Sequence, residues 1–124
     1  MIEQALRRWL LDNTTLAGNR VRPTFRPQSE TDPSLTYSRI TGPRDNTHDG
    51  PSGLASGIFQ VDCWAQDYLV TKQLRDEVIA IGGYKGTLEG TFISGVFVEG
   101  ESDNYDQDTG WFQIAIDLRL LYEE

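Results

Sequence analysis

The chain has 124 residues, one domain by length and enough to bury roughly two thirds of its unfolded surface without a disulfide or structural metal. Its formal charge of −8, from 19 acidic and 11 basic residues, argues against a basic surface that grips DNA phosphates. It leaves open both a wall past which DNA slides and an acidic balance that merely keeps a small protein soluble. With 38% hydrophobic residues in short runs, no transmembrane helix is expected. The N-terminal residues lack the basic start and apolar run of a secretory signal, and Cys63, the only cysteine, excludes an internal disulfide while leaving the redox compartment open.

Ile2, Ala5, Leu6, Trp9 and Leu10 recur at helical spacing, with Glu3, Gln4, Arg7 and Arg8 opposite, so residues 2–13 read as an amphipathic helix. Residues 21–25 alternate apolar with polar and form a short strand that Pro23 places at a sheet edge or strand end. A polar loop, 27–33, leads to a strand over 34–41, where Leu35, Tyr37 and Ile40 alternate with one slip, as a bulge or strong twist produces. Residues 42–53 carry almost nothing to bury and read as a protruding mobile arm between two paired strands. In particular, residues 44–56 lack the apolar content to offset their own ordering entropy and are expected to order only against a neighbour.

The strand over 58–65 sets Phe59, Val61 and Cys63 on one face and Gln60, Asp62 and Trp64 on the other. Asp67 is a good N-cap for a second helix, whose stripe is Val70, Leu74, Val78 and Ile81 and whose stop is Gly82-Gly83. Those glycines follow a helix rather than precede one, the wrong polarity for a phosphate-cradling loop. A strand over 91–99 and an acidic loop over 100–110 complete the approach to the last strand. There every even-numbered position from Phe112 to Tyr122 is apolar, while Gln113, Asp117 and Arg119 are polar. That period of two, sustained over an unusual length, places the strand in the middle of a sheet. The fold class is α+β, a mainly antiparallel sheet of about four to five strands with two helices on one face and a long mobile loop between two strands.

Few residues invite chemistry. His48 is the only histidine, lies in the arm, and is better read as a solvated side chain than as a general base. Cys63 alternates with Phe59 and Val61 as a small core residue would. Asp103, Asp106 and Asp108 invite a calcium reading, but an EF-type loop needs glycine at its sixth position and glutamate at its twelfth and neither falls in place, so they read as a solvated turn and no metal is expected. Neither a P-loop nor a dinucleotide fingerprint occurs, and no cofactor is expected. Trp9 falls on the helix stripe; Trp64 and Trp111 fall on the mixed faces of their strands, where an exposed ring indicates a protein interface.

The order of elements carries a resemblance. Pro33-Ser34-Leu35-Thr36-Tyr37-Ser38-Arg39-Ile40, the polar arm, Phe59-Gln60-Val61-Asp62-Cys63-Trp64-Ala65, a capped helix and an acidic turn into a long terminal strand together resemble the tail-completion or tail-terminator family of long-tailed bacteriophages and prophages. The likeness spans the first helix through Tyr122. It implies a non-enzymatic α+β protein that forms a ring, typically a hexamer, at the head-proximal end of the tail. That ring would cap tube polymerisation and join the tail to the head connector. The implied partners are further copies of the chain, the tail-tube protein and the head-completion or connector protein, with DNA passing through without specific binding. The implied location is the virion tail, reached from the host cytoplasm.

On that reading Trp64, Trp111, Arg39, Arg44, Asp45, His48 and Asp49 are candidate interface residues. Glu101, Asp103, Asp106 and Asp108, with the terminal Glu123 and Glu124, are candidates for the lumen, and some of Arg22, Arg26, Arg39 and Arg44 face tail or head proteins. The competing reading is a small ligand-binding or metabolic α+β protein with a pocket on its sheet face.

Overall fold

The structure is a computed structural model that describes residues 1–24, 31–40, 48–49 and 54–123. Its elements run α1 (Ile2–Asn13), β1 (Val21–Pro23), β2 (Ser34–Arg39), β3 (His48–Asp49), β4 (Leu54–Ala65), α2 (Tyr68–Ile79), β5 (Gly86–Leu88), β6 (Thr91–Asp106) and β7 (Trp111–Glu123). The sheet order is β1-β2-β4-β7-β6-β5, with β3 added beside β4.

The terminal strand is central, as its pattern requires. β7 pairs antiparallel with β4 on one side and β6 on the other along nearly its full length. Ile114, Ile116, Leu118, Leu120 and Tyr122 are all fully buried. Cross-strand register extends that face: Cys63, Val61 and Phe59 of β4 lie opposite Ile114, Ile116 and Leu118, while Leu35 and Tyr37 of β2 lie opposite Cys63 and Val61. Both helices close over it. Ile2, Ala5, Leu6, Trp9 and Leu10 from α1 and Leu74 and Val78 from α2 share one core with these strands. Asp67 caps α2 as expected, accepting from the backbone N–H of Leu69 at 2.8 Å and of Val70 at 3.4 Å. Within α2 it is Thr71 rather than Val70 that is buried, its hydroxyl donating to the Asp67 carbonyl at 2.8 Å. Gly83 takes φ +84° and donates its N–H to the Val96 carbonyl at 2.9 Å, turning the chain back onto the sheet.

Four expectations change. Among the described residues the sheet has seven strands rather than four or five, because β3 and β5 are too short to show a period. It is mixed, because one pair, β1 beside β2, runs parallel within the mainly antiparallel sheet that was expected. β4 begins at Leu54, so the last residues assigned to the arm, 54–56, belong to a strand paired with β7, and His48 and Asp49 pair with Ala55 and Leu54. The remainder of the arm, 44–47 and 50–53, lies outside the described residues.

The fourth change concerns the acidic loop: β6 continues to Asp106, leaving only a tight turn closed by Gly110 at φ +76°. Polar residues 100–106 hide this strand from a periodicity search because their pairing with β7 is a backbone matter. Two register shifts interrupt β6, between Ile93 and Gly95 and between Val98 and Gly100. The second inverts the parity of the remaining strand, so that odd-numbered Glu101 and Asp103 lie opposite Ile116 and Ile114 on the helix-bearing face.

Truncating the central row should therefore be costly. Ile116→Ala is expected to destabilise the fold by about 2–5 kcal/mol, whereas Arg119→Ala, on the opposite face with an exposed ion pair to Glu99, should cost about 1 kcal/mol or less. Urea denaturation midpoints of the two variants check this, and equal losses would contradict the assigned faces.

Candidate interaction surfaces

The helix-free side of β2, β4 and β7 is a polar lattice rather than an apolar layer. Its rungs are Ser34, Trp64 and Gln113; Thr36, Asp62 and Ala115; and Ser38, Gln60 and Asp117. The indole N–H of Trp64 donates to the Thr36 hydroxyl at 2.9 Å, and that hydroxyl lies 3.4 Å from Asp62 Oδ2. Gln60 Nε2 donates to Asp62 Oδ1 at 2.7 Å. Asp62 is only 8% exposed. Burial pushes its carboxyl above the usual range against the opposing effect of hydrogen bonds from Gln60, Gln113 and Thr36, and the nearby Asp117 charge adds to the rise.

The candidate residues fall in several places. Trp64 is half-buried, anchored by its bond to Thr36, and Trp111 is only 4% exposed, so both indoles have a place within the chain as well as on the mixed face. Arg39 is half-buried at the end of β2, where its Nη2 donates to the Tyr122 hydroxyl at 2.7 Å and its guanidinium lies 4.9 Å from the Phe59 ring centroid. Gly57 makes room for it, since a Cβ there would come within 3.0 Å of Arg39 Nη2. Arg22 is half-buried in β1. His48 and Asp49 contribute the backbone of β3; Arg26, Arg44, Asp45 and Glu124 lie outside the described residues.

The acidic candidates divide by the parity of β6. Glu101 accepts from Arg75 Nη1 at 2.9 Å. Asp103 accepts from the Tyr68 hydroxyl at 2.8 Å and sits 3.4 Å from Lys72 Nζ, contacts that hold its carboxyl below the usual range. Both are thus tied to α2. Asp106 and Asp108 flank the tip of the hairpin, where Asp106 Oδ1 accepts the Asp108 N–H at 2.9 Å, and Glu123 is exposed at the end of β7. Around the tip, Phe112 packs between Tyr68 and Tyr105, at ring-centroid distances of 5.4 and 4.6 Å. The tie to α2 and the aromatic packing were invisible in sequence because both depend on the register shift near Glu99.

Among the described residues no catalytic constellation emerges. Cys63 is fully buried and its thiol is pushed up by burial, the opposite of an activated nucleophile. Among the described residues no three His, Cys, Asp or Glu side chains gather as a metal site, and no helix is long and apolar enough to cross a membrane. A recess of about 150 Å³ lined by Gln4, Arg7, Arg8 and Glu89 lies off the sheet face. It is smaller than the roughly 300 Å³ at which metabolite pockets begin, and Arg8 and Glu89 already pair across it at 3.0 Å.

The fold is a curled mixed sheet with helices on one side and hydrogen-bonded polar and charged surfaces on the other. Residues 4–123 match the family described as Tail completion protein gp17, and the chain belongs to that family. It is a structural protein of a phage-type tail. A chain from a solved structure titled "Virion of native gene transfer agent (GTA) particle" shares the fold, with a TM-score of 0.70 over 97% of this chain and 92% of that one at 16% identity. No curated protein sequence matches.

The buried carboxyl makes a testable contribution to stability. A group whose pKa is raised by folding keeps its proton in the native state where the unfolded chain has released it, so its contribution falls as pH rises through the raised value. Asp62→Asn removes that dependence. Relative to the wild type, the melting temperature of Asp62→Asn should therefore improve between about pH 4 and pH 7, and a pH-independent difference would contradict the assignment.

Proposed function

We propose that the protein forms a closed ring, hexameric in number, at the head-proximal end of the tail, where it stops tube polymerisation and joins the tail to the head connector. The observation that carries this reading is the family match over residues 4–123. The match of fold to a chain of a gene transfer agent virion agrees with it. Copies of the chain, the tail-tube protein and the connector protein are the partners, and the work is done by binding surfaces without catalysis. The protein would assemble in the host cytoplasm and remain in the virion tail.

DNA passes through the lumen on this reading, so the wall must not hold phosphates. The net charge of −8 suits such a wall. Asp106 and Asp108 at the hairpin tip supply carboxylates for it, with Glu101 and Asp103 beside them, while Trp64 and the helix-free face meet a neighbouring protein.

Electron microscopy of the purified protein, alone and mixed with polymerising tail-tube protein, tests the proposal. Rings and tubes capped at one end are expected; tubes of unchanged length distribution without end density would overturn it. Trp64→Ala should raise the concentration needed for assembly about tenfold or more while leaving a cooperative thermal transition. Mobility-shift titration of the assembled ring with duplex DNA should show almost no binding at moderate salt, and tight, steeply salt-dependent binding would exclude the lumen assignment.

A further inference from the structure

Folding leaves seven large apolar side chains exposed among the described residues, and five of them gather in two places: Ile40 and Phe97 in one, Tyr68, Leu69 and Tyr105 in the other. The first group lies on the helix-free face, at the end of the sheet away from the β6–β7 turn. Ile58 and Phe97 lie on either side of Arg119 in one rung, and half-buried Leu121 is the next residue of β7 on that face. Ile40 donates its N–H to the Ile58 carbonyl at 3.1 Å, which carries the β2 register one residue further and sets its side chain on the same face. Gly95 gives the Phe97 ring room beside Leu121, since a Cβ there would stand 3.6 Å from Phe97 Cε2 and 3.8 Å from Leu121 Cδ1. The Arg119 guanidinium is engaged by Glu99 at 2.6 Å. In sequence the arm after Ile40 has little to offer such a patch, because residues 41–47 and 50–53 contain two prolines and no larger apolar side chain.

The second group lies on the helix-bearing face, near the β6–β7 turn. Tyr105 faces Phe112 across the two strands with ring centroids 4.6 Å apart, and Tyr68 at the start of α2 closes on Phe112 at 5.4 Å. The Tyr68 hydroxyl is held by Asp103 at 2.8 Å, which fixes the ring in place. Leu69, the next residue of α2, is 69% exposed. Phe112 and Arg119 mark the two groups along β7, so the patches stand about 23 Å apart along that strand and on opposite faces of the sheet.

We propose that the two patches are the two halves of one contact between copies of this chain, the Phe97 patch of one copy seated on the Tyr105–Leu69 patch of the next. This deepens the ring reading and rests on it, by naming the surfaces that repeat around the ring. A two-fold pair through either patch would use one surface twice and leave the other in water. A contact between unlike surfaces buries both on every copy, and it closes when the rotation per copy divides a full turn. Each patch has the make-up of an interface centre, apolar side chains beside a polar border: the Ser38, Gln60 and Asp117 rung adjoins the first, and Asp67 and Lys72 adjoin the second. No carboxylate assigned to the lumen takes part in the contact itself.

Sedimentation velocity of two variants, alone and mixed, tests this. Phe97→Lys disables the first patch and Leu69→Asp the second; both side chains are more than half exposed, and an acid in the first turn of α2 suits its N-terminus. Each variant alone should need about tenfold or more the wild-type concentration to assemble. An equimolar mixture should form two-chain species and nothing larger, because Leu69→Asp keeps the first patch and Phe97→Lys keeps the second. Circular dichroism melts report the fold, and should either variant lose its transition, Ile40→Lys or Tyr105→Lys takes its place. Rings formed as readily as by the wild type in either folded variant would overturn this contact while leaving the ring reading in place, whether or not that variant has lost its hold on the tail-tube protein. Pairs formed by one variant alone would make the contact two-fold and overturn it as well, as would a mixture that stays as single chains at the highest attainable concentration. A wild type that stays monomeric at high concentration would overturn both readings.

Discussion

The structure depends on the apolar row of β7. A strand buried on one face and paired on both edges has no freedom to slip by one residue, because a slip would carry Ile114, Ile116, Leu118, Leu120 and Tyr122 to the polar side and Gln113, Asp117 and Arg119 into the core. With β7 immobile, the register of β4 and β6 is set as well. The facing sets Cys63, Val61 and Phe59 then decide where α1 and α2 settle. Both faces of the sheet, and so both kinds of surface offered to neighbours, are consequences of this one alternation.

From that constraint come two departures with functional weight. On the helix-free face Asp62 is held by donors from Gln60 and Thr36, and Trp64 donates in turn to Thr36, linking three rungs of β2 and β4, while the buried Ser34 hydroxyl of the first rung has no partner among the described residues. Such a network specifies the face sharply while costing desolvation of a carboxylate, a trade often associated with surfaces that must recognise rather than merely pack. On β6 the register shift between Val98 and Gly100 turns Glu101 and Asp103 toward α2, where Arg75, Lys72 and Tyr68 hold them. The hairpin is thereby fastened to the body of the fold.

Elements with a large apolar demand were legible in sequence. α1, the Asp67-capped α2 and the alternations of β4 and β7 announce themselves because burial imposes a period on residue choice. Whatever is held by backbone pairing alone was not. β3 and β5 are too short to show a period, and the second half of β6 reads as an acidic loop because its side chains face solvent. The parallel placement of β1 against β2 depends on loop path rather than composition. As for the surfaces, Trp64 and Trp111 stood out as aromatic rings on mixed faces, yet their packing within the chain needed three dimensions to see. That residues 21–23 and 101–103 end the same rungs likewise needed the strand order, since they come into register only after folding.

The central proposal is that this tail protein closes into a ring with copies of itself. Native mass spectrometry of the purified protein under low-salt conditions tests it most directly, because it counts subunits without reference to any partner. The proposal predicts one dominant assembly at a fixed multiple of the chain mass, six for the proposed hexamer. A population of single chains alone at every concentration, or an open-ended ladder of ever larger multiples, would contradict it.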